Sequence, residues 1–318
     1  MITKILEDNL DSISLAATAL IAGRLVAFPT ETVYGLGANA TKDDAVASIF
    51  KAKSRPSFNP LIIHFNNILD VKKEVSWNDT AEVLAKTFWP GPITLILNRK
   101  TTSQISLLAS AGLETIAVRI PRHHIAQTLI EKSGFPIAAP SANESGLLSP
   151  TNAQHVMKSL HNRVTYILDG QATEIGLEST VIDLSREVPA ILRPGYITKE
   201  QIEKTIKHSV IEKLDAVSDA KIISPGMITK HYSPNTPLRI NATKFIKNEK
   251  VIGFGPKAPP KSMNLSYSSN LDEAASNLFK FLHEVDHTNT QSIAVMPIPE
   301  AGLGIAINDR LRRASSKD

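Results

Sequence analysis

Short apolar runs alternate with helical patterns as far as residue 193, and that alternation leaves few folds open. Residues 25–28, 61–65, 93–97, 115–120 and 136–139 each read as a strand. Residues 164–168, 180–184 and 190–193 read as further strands, spaced closely enough to predict antiparallel pairing among them. The sum is an α/β fold around a twisted mixed sheet, parallel and antiparallel, with helices. From about 206 to 236 the pattern lapses, and Pro225, Gly226, Pro234 and Pro237 mark a linker. Regular structure then returns as a strand at 251–254, a helix at 271–285 and a strand at 292–297, which fits a βαβ unit. The expected division is therefore 1–205, a connecting segment 206–236, and a small α/β domain 237–318.

Composition agrees with this. The chain has 318 residues, 42% hydrophobic and 21% charged, enough to bury substantial cores in two domains. Cysteine is absent, which excludes disulfides, thiolate metal sites and cysteine nucleophiles and fits a reducing cytoplasm. The apolar stretch 15–28 is interrupted by Arg24 and is too short to span a bilayer. Glu7, Asp8 and Asp11 precede it, where a secretory leader would be basic. Cytoplasm and no membrane contact are the expectations. A net charge of +4 permits anionic ligands without the basic excess of a dedicated nucleic-acid binder.

Helix starts are marked by Thr41 with Asp44, Thr151 with Gln154, and Thr198 with Gln201, each read as a capping box. Ile197 and Ile202 are placed as a hydrophobic staple for the third. Behind Thr41, the residues Val46, Ile49 and Phe50 form one apolar face, and Lys53 falls on the same stripe. A lysine turned toward the body of a protein needs an anionic partner.

Three polar loops sit at or near predicted strand ends, where open α/β sheets bind ligands. Residues 29–37 offer hydroxyls and backbone N–H groups, without the spacing of a dinucleotide or P-loop fingerprint. Residues 53–61 place Lys53, Arg55 and Asn59 together, the residue types that neutralise polyphosphate, although cations at a helix end also suit the helix dipole. Residues 139–146 bring Ser141 and Asn143, which can donate to phosphate or to a carbonyl. Arg119 lies inside an apolar strand, where a cation implies an anion or a buried partner. His64 and Ser179 read as readily as a core histidine and a turn residue.

In combination these segments are specific. FPTETVYGLG (28–37), KAKSRPSFNPLIIH (51–64), WPGPITLIL (89–97), VRIPRH (118–123), PIAAPSANESG (136–146), GLESTVID (176–183) and ILRPG (191–195), in this order, resemble the YrdC/Sua5 family. Residues 224–234 and 298–304 resemble the linker and C-terminal domain of its longer, Sua5-type members. The resemblance implies a YrdC-like mixed sheet followed by a small Rossmann-like domain. It also implies threonylcarbamoyl-AMP synthesis, in which L-threonine, bicarbonate or CO2 and ATP give L-threonylcarbamoyl-AMP and pyrophosphate. Further proteins then pass the group to adenosine 37 of tRNA. By motif, threonine would meet Thr32, His64, Arg119, Ser179 and the Ala139 backbone. ATP would meet Lys53, Arg55, Asn59, Thr115, Ser141, Asn143, Ser149, Arg193 and Tyr232, with Lys53 and Arg55 as the catalytic pair. Mg²⁺ would accompany ATP without an assigned protein ligand. The competing reading is a double-stranded RNA or tRNA-binding module.

Overall fold

The computed structural model describes residues 2–212, 231–286 and 290–316. Strands β1 (Lys4–Leu6), β2 (Val26–Phe28), β3 (Gly35–Asn39), β4 (Ile62–His64), β5 (Ile93–Asn98), β6 (Thr115–Arg119), β7 (Ile137–Ala138), β8 (Tyr166–Leu168), β9 (Thr180–Asp183), β10 (Ala190–Arg193) and β11 (Ile211–Glu212) form one sheet. Its order is β1-β8-β2-β3-β7-β4-β6-β5-β9-β10-β11. Pairing is mixed, as expected: β4 runs parallel to β6 and antiparallel to β7, for example. Of the last predicted strands, β9 and β10 pair antiparallel, but β8 does not join them. It pairs in parallel with β1 and β2 toward the far edge, because residues 169–179 carry the chain back across the sheet.

One polar loop is partly strand. Residues 35–39 turn back as β3, antiparallel to β2. Glycine-rich stretches carry little strand propensity, which hides this element in the sequence. Gly37 is required there, since a Cβ would lie 2.8 Å from the Phe28 ring and 2.9 Å from Ile137.

Strand alternation sorts side chains between two faces. Ile63 and Val118 enter the main core, with the helices Asp43–Lys53 and Asp79–Phe88 contributing to it. Ile62 and Ala117 enter a smaller cluster on the opposite face. His64 and Arg119 share the parity of Ile62 and Ala117, so both belong to that second face.

The helix caps divide. Thr198 and Gln201 form the full capping box, with Ile197 and Ile202 buried beside it. The other two starts are corrected by one residue. Lys42 and Asn152 are the caps, Thr41 bonds to the Asn39 side chain instead, and Asn152 accepts from His155 N–H. Chain direction before each helix, set by tertiary contacts, decides which residue adopts the extended cap conformation.

In the second domain β12 (Leu238–Arg239), β13 (Glu249–Gly253), β14 (Met263–Asn264) and β15 (Ser292–Val295) form a parallel sheet of order β12-β15-β13-β14. The helices Leu271–Val285 and Leu303–Ser315 pack on it. Its core also takes in Leu148, Ile175 and Leu177 from the first domain, so the two domains share buried surface. Pro225, Gly226 and Lys230 of the expected linker lie outside the described residues.

Candidate active site

The second face of the large sheet carries a cavity partly open to solvent, about 540 Å³ when the open solvent at its mouth is counted. The loop after β2, His64 of β4, Arg119 of β6, the loop after β7, Ser179, Arg193 and the returning segment at His231 and Tyr232 wall it. Thr32, Arg55, His64, Arg119, Ala139, Ser141, Ser179, Arg193 and Tyr232, named from the sequence, all line it. Lys53, Asn59, Asn143 and Ser149 are buried and do not line it. Thr115 stands apart: it is half-buried, opposite Asn98, roughly 13 Å along β6 from Arg119.

At one end Arg119 is already held. Its NH2 donates to Glu31 Oε1 at 2.7 Å, its NH1 to Thr32 Oγ1 at 3.1 Å and its Nε to the Gly91 carbonyl at 3.2 Å. The second Glu31 oxygen accepts the Arg122 N–H. Glu31 is the buried partner an inward arginine needs. The sequence reading passed over it, although it stands between Thr30 and Thr32 in the first polar loop. His64 is neutral: burial, and then the Arg119 charge, push its pKa down to about 3. Its Nδ1 is buried without a partner among the described residues. Ser179 Oγ meets Thr94 Oγ1 at 2.8 Å and accepts from Arg193 NH2 at 3.1 Å.

At the other end cations crowd together. Lys53 ends the helix Asp43–Lys53 and is buried, as its stripe position requires. Its partners are neutral rather than anionic: Nζ donates to the carbonyls of Ser141, at 2.5 Å, and Asn143. Burial, with the Arg55 charge adding to it, holds the Lys53 amine well below the usual lysine range. Arg55 donates to the Asn59 and Pro60 carbonyls at 3.3 and 3.0 Å. Burial, with the Arg193 charge adding to it, pushes its pKa down to about 10. His231 is held far below its ordinary value by burial, then by Arg55, Lys53 and Arg193. Cations that depress one another in a buried site are poised to gain from an anion. Around them the Asn59 side-chain amide, Asn143 Oδ1, His231 Nδ1, Tyr232 OH and Ser233 Oγ are buried without partners among the described residues.

Tyr232 roofs the cavity. It has φ +62°, unusual for a bulky side chain, and its ring lies tilted against Phe279 of the second domain, with centroids 5.5 Å apart. Ser233 N–H donates to the Gly146 carbonyl at 2.8 Å, and Asn235 and Thr236 are pinned by Asp286. The segment therefore bridges the rim of the first domain to the second.

The cavity can take a triphosphate at Arg55 and Arg193, with Lys53 buried close by, and an amino acid carboxylate near Arg119. Comparison with known proteins agrees with this chemistry. Residues 18–195 match the Sua5/YciO/YrdC family model, described as telomere recombination. Residues 197–316 match the model of the threonylcarbamoyl-AMP synthase C-terminal domain. The threonylcarbamoyl-AMP synthase of Pyrococcus abyssi is 43% identical, over 95% of this chain and 94% of that protein. That of Bacillus subtilis is 42% identical over 99% and 96%. The crystal structure of P. abyssi Sua5 complexed with L-threonine superposes with a TM-score of 0.89 at 40% identity, covering 99% of this chain and 98% of that one. Two family models in tandem, full-length relatives and a shared fold lead to one conclusion: this chain belongs to the Sua5-type branch of the YrdC family, the threonylcarbamoyl-AMP synthases.

Proposed function

We propose that the cavity joins L-threonine, bicarbonate or CO2, and ATP into L-threonylcarbamoyl-AMP, releasing pyrophosphate. The carrying observation is that Arg55, Arg193 and Arg119 line one cavity, with Lys53 buried close by and His64, His231 and Tyr232 bringing unpartnered polar atoms to its wall. In this reading Arg119, Thr32, His64, Ser179 and Ala139 hold threonine, the ligand in the solved P. abyssi relative. Lys53, Arg55, Asn59, Ser141, Asn143, Ser149, Arg193 and Tyr232 serve ATP, and Thr115 receives its distal part.

The chemistry needs positioning and charge neutralisation more than a proton shuttle. The threonine amine adds to CO2 and loses a proton. A carbamate oxygen then attacks the α-phosphorus, and the bond to the β-phosphate bridging oxygen breaks as pyrophosphate leaves. Glu178, which lines the cavity, and Glu31, which holds Arg119, are each bound to an arginine, so neither stands free as a general base. Carbamates decompose in water, and in this reading His231 and Tyr232 limit its access to the intermediate.

Mg²⁺ accompanies ATP in this scheme. The donor set does not fit a protein-held Mg²⁺, which needs free oxygen ligands, so the triphosphate and water would carry the ion.

The activated product requires a consumer, and we place the chain in the cytoplasm, ahead of the proteins that load adenosine 37 of tRNA. No described helix is long and apolar enough to cross a membrane. A simple RNA-binding module would have no use for buried, unpartnered amides beneath a roof. The test is pyrophosphate release by the full chain with each substrate omitted in turn. Release should require both threonine and bicarbonate; equal release with serine, or without bicarbonate, overturns the reading.

A further inference from the structure

The cavity walls at Ser179 and Arg193 are held from outside by a residue of the other domain. Arg310 lies on the helix Leu303–Ser315, and its side chain is wholly buried. Its Nε donates to Glu178 Oε2 at 2.8 Å, and its NH1 to the Pro194 carbonyl at 2.9 Å and to Asp309 Oδ2 at 2.7 Å. Its guanidinium carbon stands 5.3 Å from the centroid of the Tyr232 ring.

Those contacts bracket one functional unit. Glu178 immediately precedes Ser179, and Pro194 immediately follows Arg193. Between them the Ser179 carbonyl accepts twice from Arg193, at 3.1 and 2.9 Å. Glu178 is fixed at both oxygens, because Ser149 Oγ donates to the other one. The two segments also touch through their backbones. A Cβ on Gly195 would lie 2.3 Å from the Thr180 nitrogen and 2.7 Å from the Glu178 oxygen. One guanidinium therefore fixes the ends of two strands and stands beside the tyrosine that roofs the cavity.

We propose that Arg310 is a positioning residue for adenylation, through which the second domain sets the placement of Ser179, Arg193 and Tyr232 around the nucleotide. An ion pair serving only to join domains could end on any buried surface. This one ends on Glu178, a lining residue, and beside Arg193 and Tyr232, two more. The second domain is thus part of the catalytic apparatus. The inference rests on the adenylation reading.

Glu178 supplies a readout that simple destabilisation lacks. Burial alone would lift its carboxyl, but the charges of Arg310 and Arg193 and the Ser149 hydroxyl hold it below the ordinary carboxylate range. Without Arg310, Glu178 should take up a proton nearer neutrality, and activity should recover as pH rises.

The test uses the full chain with Arg310→Gln, Arg310→Lys and Glu178→Gln, assayed by threonine-dependent pyrophosphate release well below each variant's own Tm. Arg310→Gln should lower kcat/KM for ATP on the order of 100-fold, the scale of a small misplacement of reacting groups. Its profile should gain a rising limb toward alkaline pH that the wild type lacks, and Arg310→Lys should restore part of the loss. A folded Arg310→Gln with kcat and both KM values within about twofold of wild type, and an unchanged pH profile, overturns the proposal. Should that variant not fold, Glu178→Gln is read in its place, since it removes the same ion pair with little change of shape. It should raise the KM for ATP at least about fivefold, and wild-type kinetics overturn the proposal. The wild-type chain separates the two levels: if it releases no pyrophosphate with threonine and bicarbonate, the adenylation reading itself fails.

Discussion

Glu31 Oε1 lies 2.7 Å from Arg119 NH2, and both side chains are buried. The pair keeps a guanidinium inside the sheet face while two of its edges remain committed to Thr32 and Gly91. Lysine has a single ammonium and cannot reproduce that fork. Arg119→Lys should therefore raise the KM for threonine by about tenfold, the loss of one charge-assisted bond of about 1.5 kcal/mol, and leave the KM for ATP unchanged. Equal losses for both substrates in steady-state assays would assign Arg119 a structural role.

Arg55 is tethered by the carbonyls of Asn59 and Pro60 and is thereby preorganised for charge that builds on the leaving group. Arg55→Ala should cost about 3 kcal/mol of transition-state stabilisation, measured as kcat/KM for ATP. Activity within about twofold of wild type would leave Arg55 as a cation that only balances the helix end.

Lys53 gives a pH dependence of fixed sign. In the free protein burial and Arg55 hold its pKa far below the ordinary value. A bound polyphosphate raises it again, so ATP binding takes up a proton between the free and bound pKa values. Affinity for ATP should fall as pH rises through that window, and the binding heat should vary with buffer ionisation enthalpy. A calorimetric binding heat independent of the buffer throughout the pH range in which ATP affinity changes would contradict this.

The roof and the second domain cannot be removed cleanly. Deleting 206–318 should not leave a soundly folded first domain, and Tyr232→Ala should not leave stability intact. Tyr232 is buried with Phe279 and beside Arg310, and deletion strips cover from Leu148, Ile175 and Leu177 and leaves Glu178 an unpaired charge. Tyr232→Ala should cost roughly 3–5 kcal/mol of stability, as for large aromatic truncations. Tyr232→Phe keeps the ring and removes only the unpartnered hydroxyl. It should keep the Tm and consume more ATP per threonylcarbamoyl-AMP formed; unchanged coupling would remove the hydroxyl from the mechanism.

His155 and His283 stack across the domain boundary with ring centroids 3.8 Å apart. Burial first, and then the neighbouring histidine, push His155 down to about 3; burial, with the Lys158 charge adding to it, pushes His283 to about 4. Both pKa values lie below the unfolded value near 6.5, so the unfolded chain binds more protons in between. That contribution to stability is complete above about pH 6.5 and is lost as pH falls toward about 4. His155→Gln should flatten the decline of Tm between neutrality and mild acid; parallel curves for variant and wild type would exclude the pair as its source.

Local pattern carried much of this molecule. Short apolar runs located β4, β5, β6, β9 and β10, because such runs must bury one or both faces wherever the chain goes. The helix stripe placed Lys53 inside, and the polar loops at 29–37, 53–61 and 139–146 named most of the cavity wall. What the sequence could not contain is which distant groups satisfy which charge. Glu31 reaches Arg119 across 88 positions, and Arg310 reaches Glu178 across 132. Neither distance leaves a period or a motif. Lys53 was expected to need an anion and found carbonyls instead, since only the folded chain brings residues 141 and 143 to its amine. The parallel return of β8 to β1 and β2 has the same origin. Burial of a side chain is written in its near neighbours, but the partner that makes burial of a charge tolerable is chosen by the whole fold.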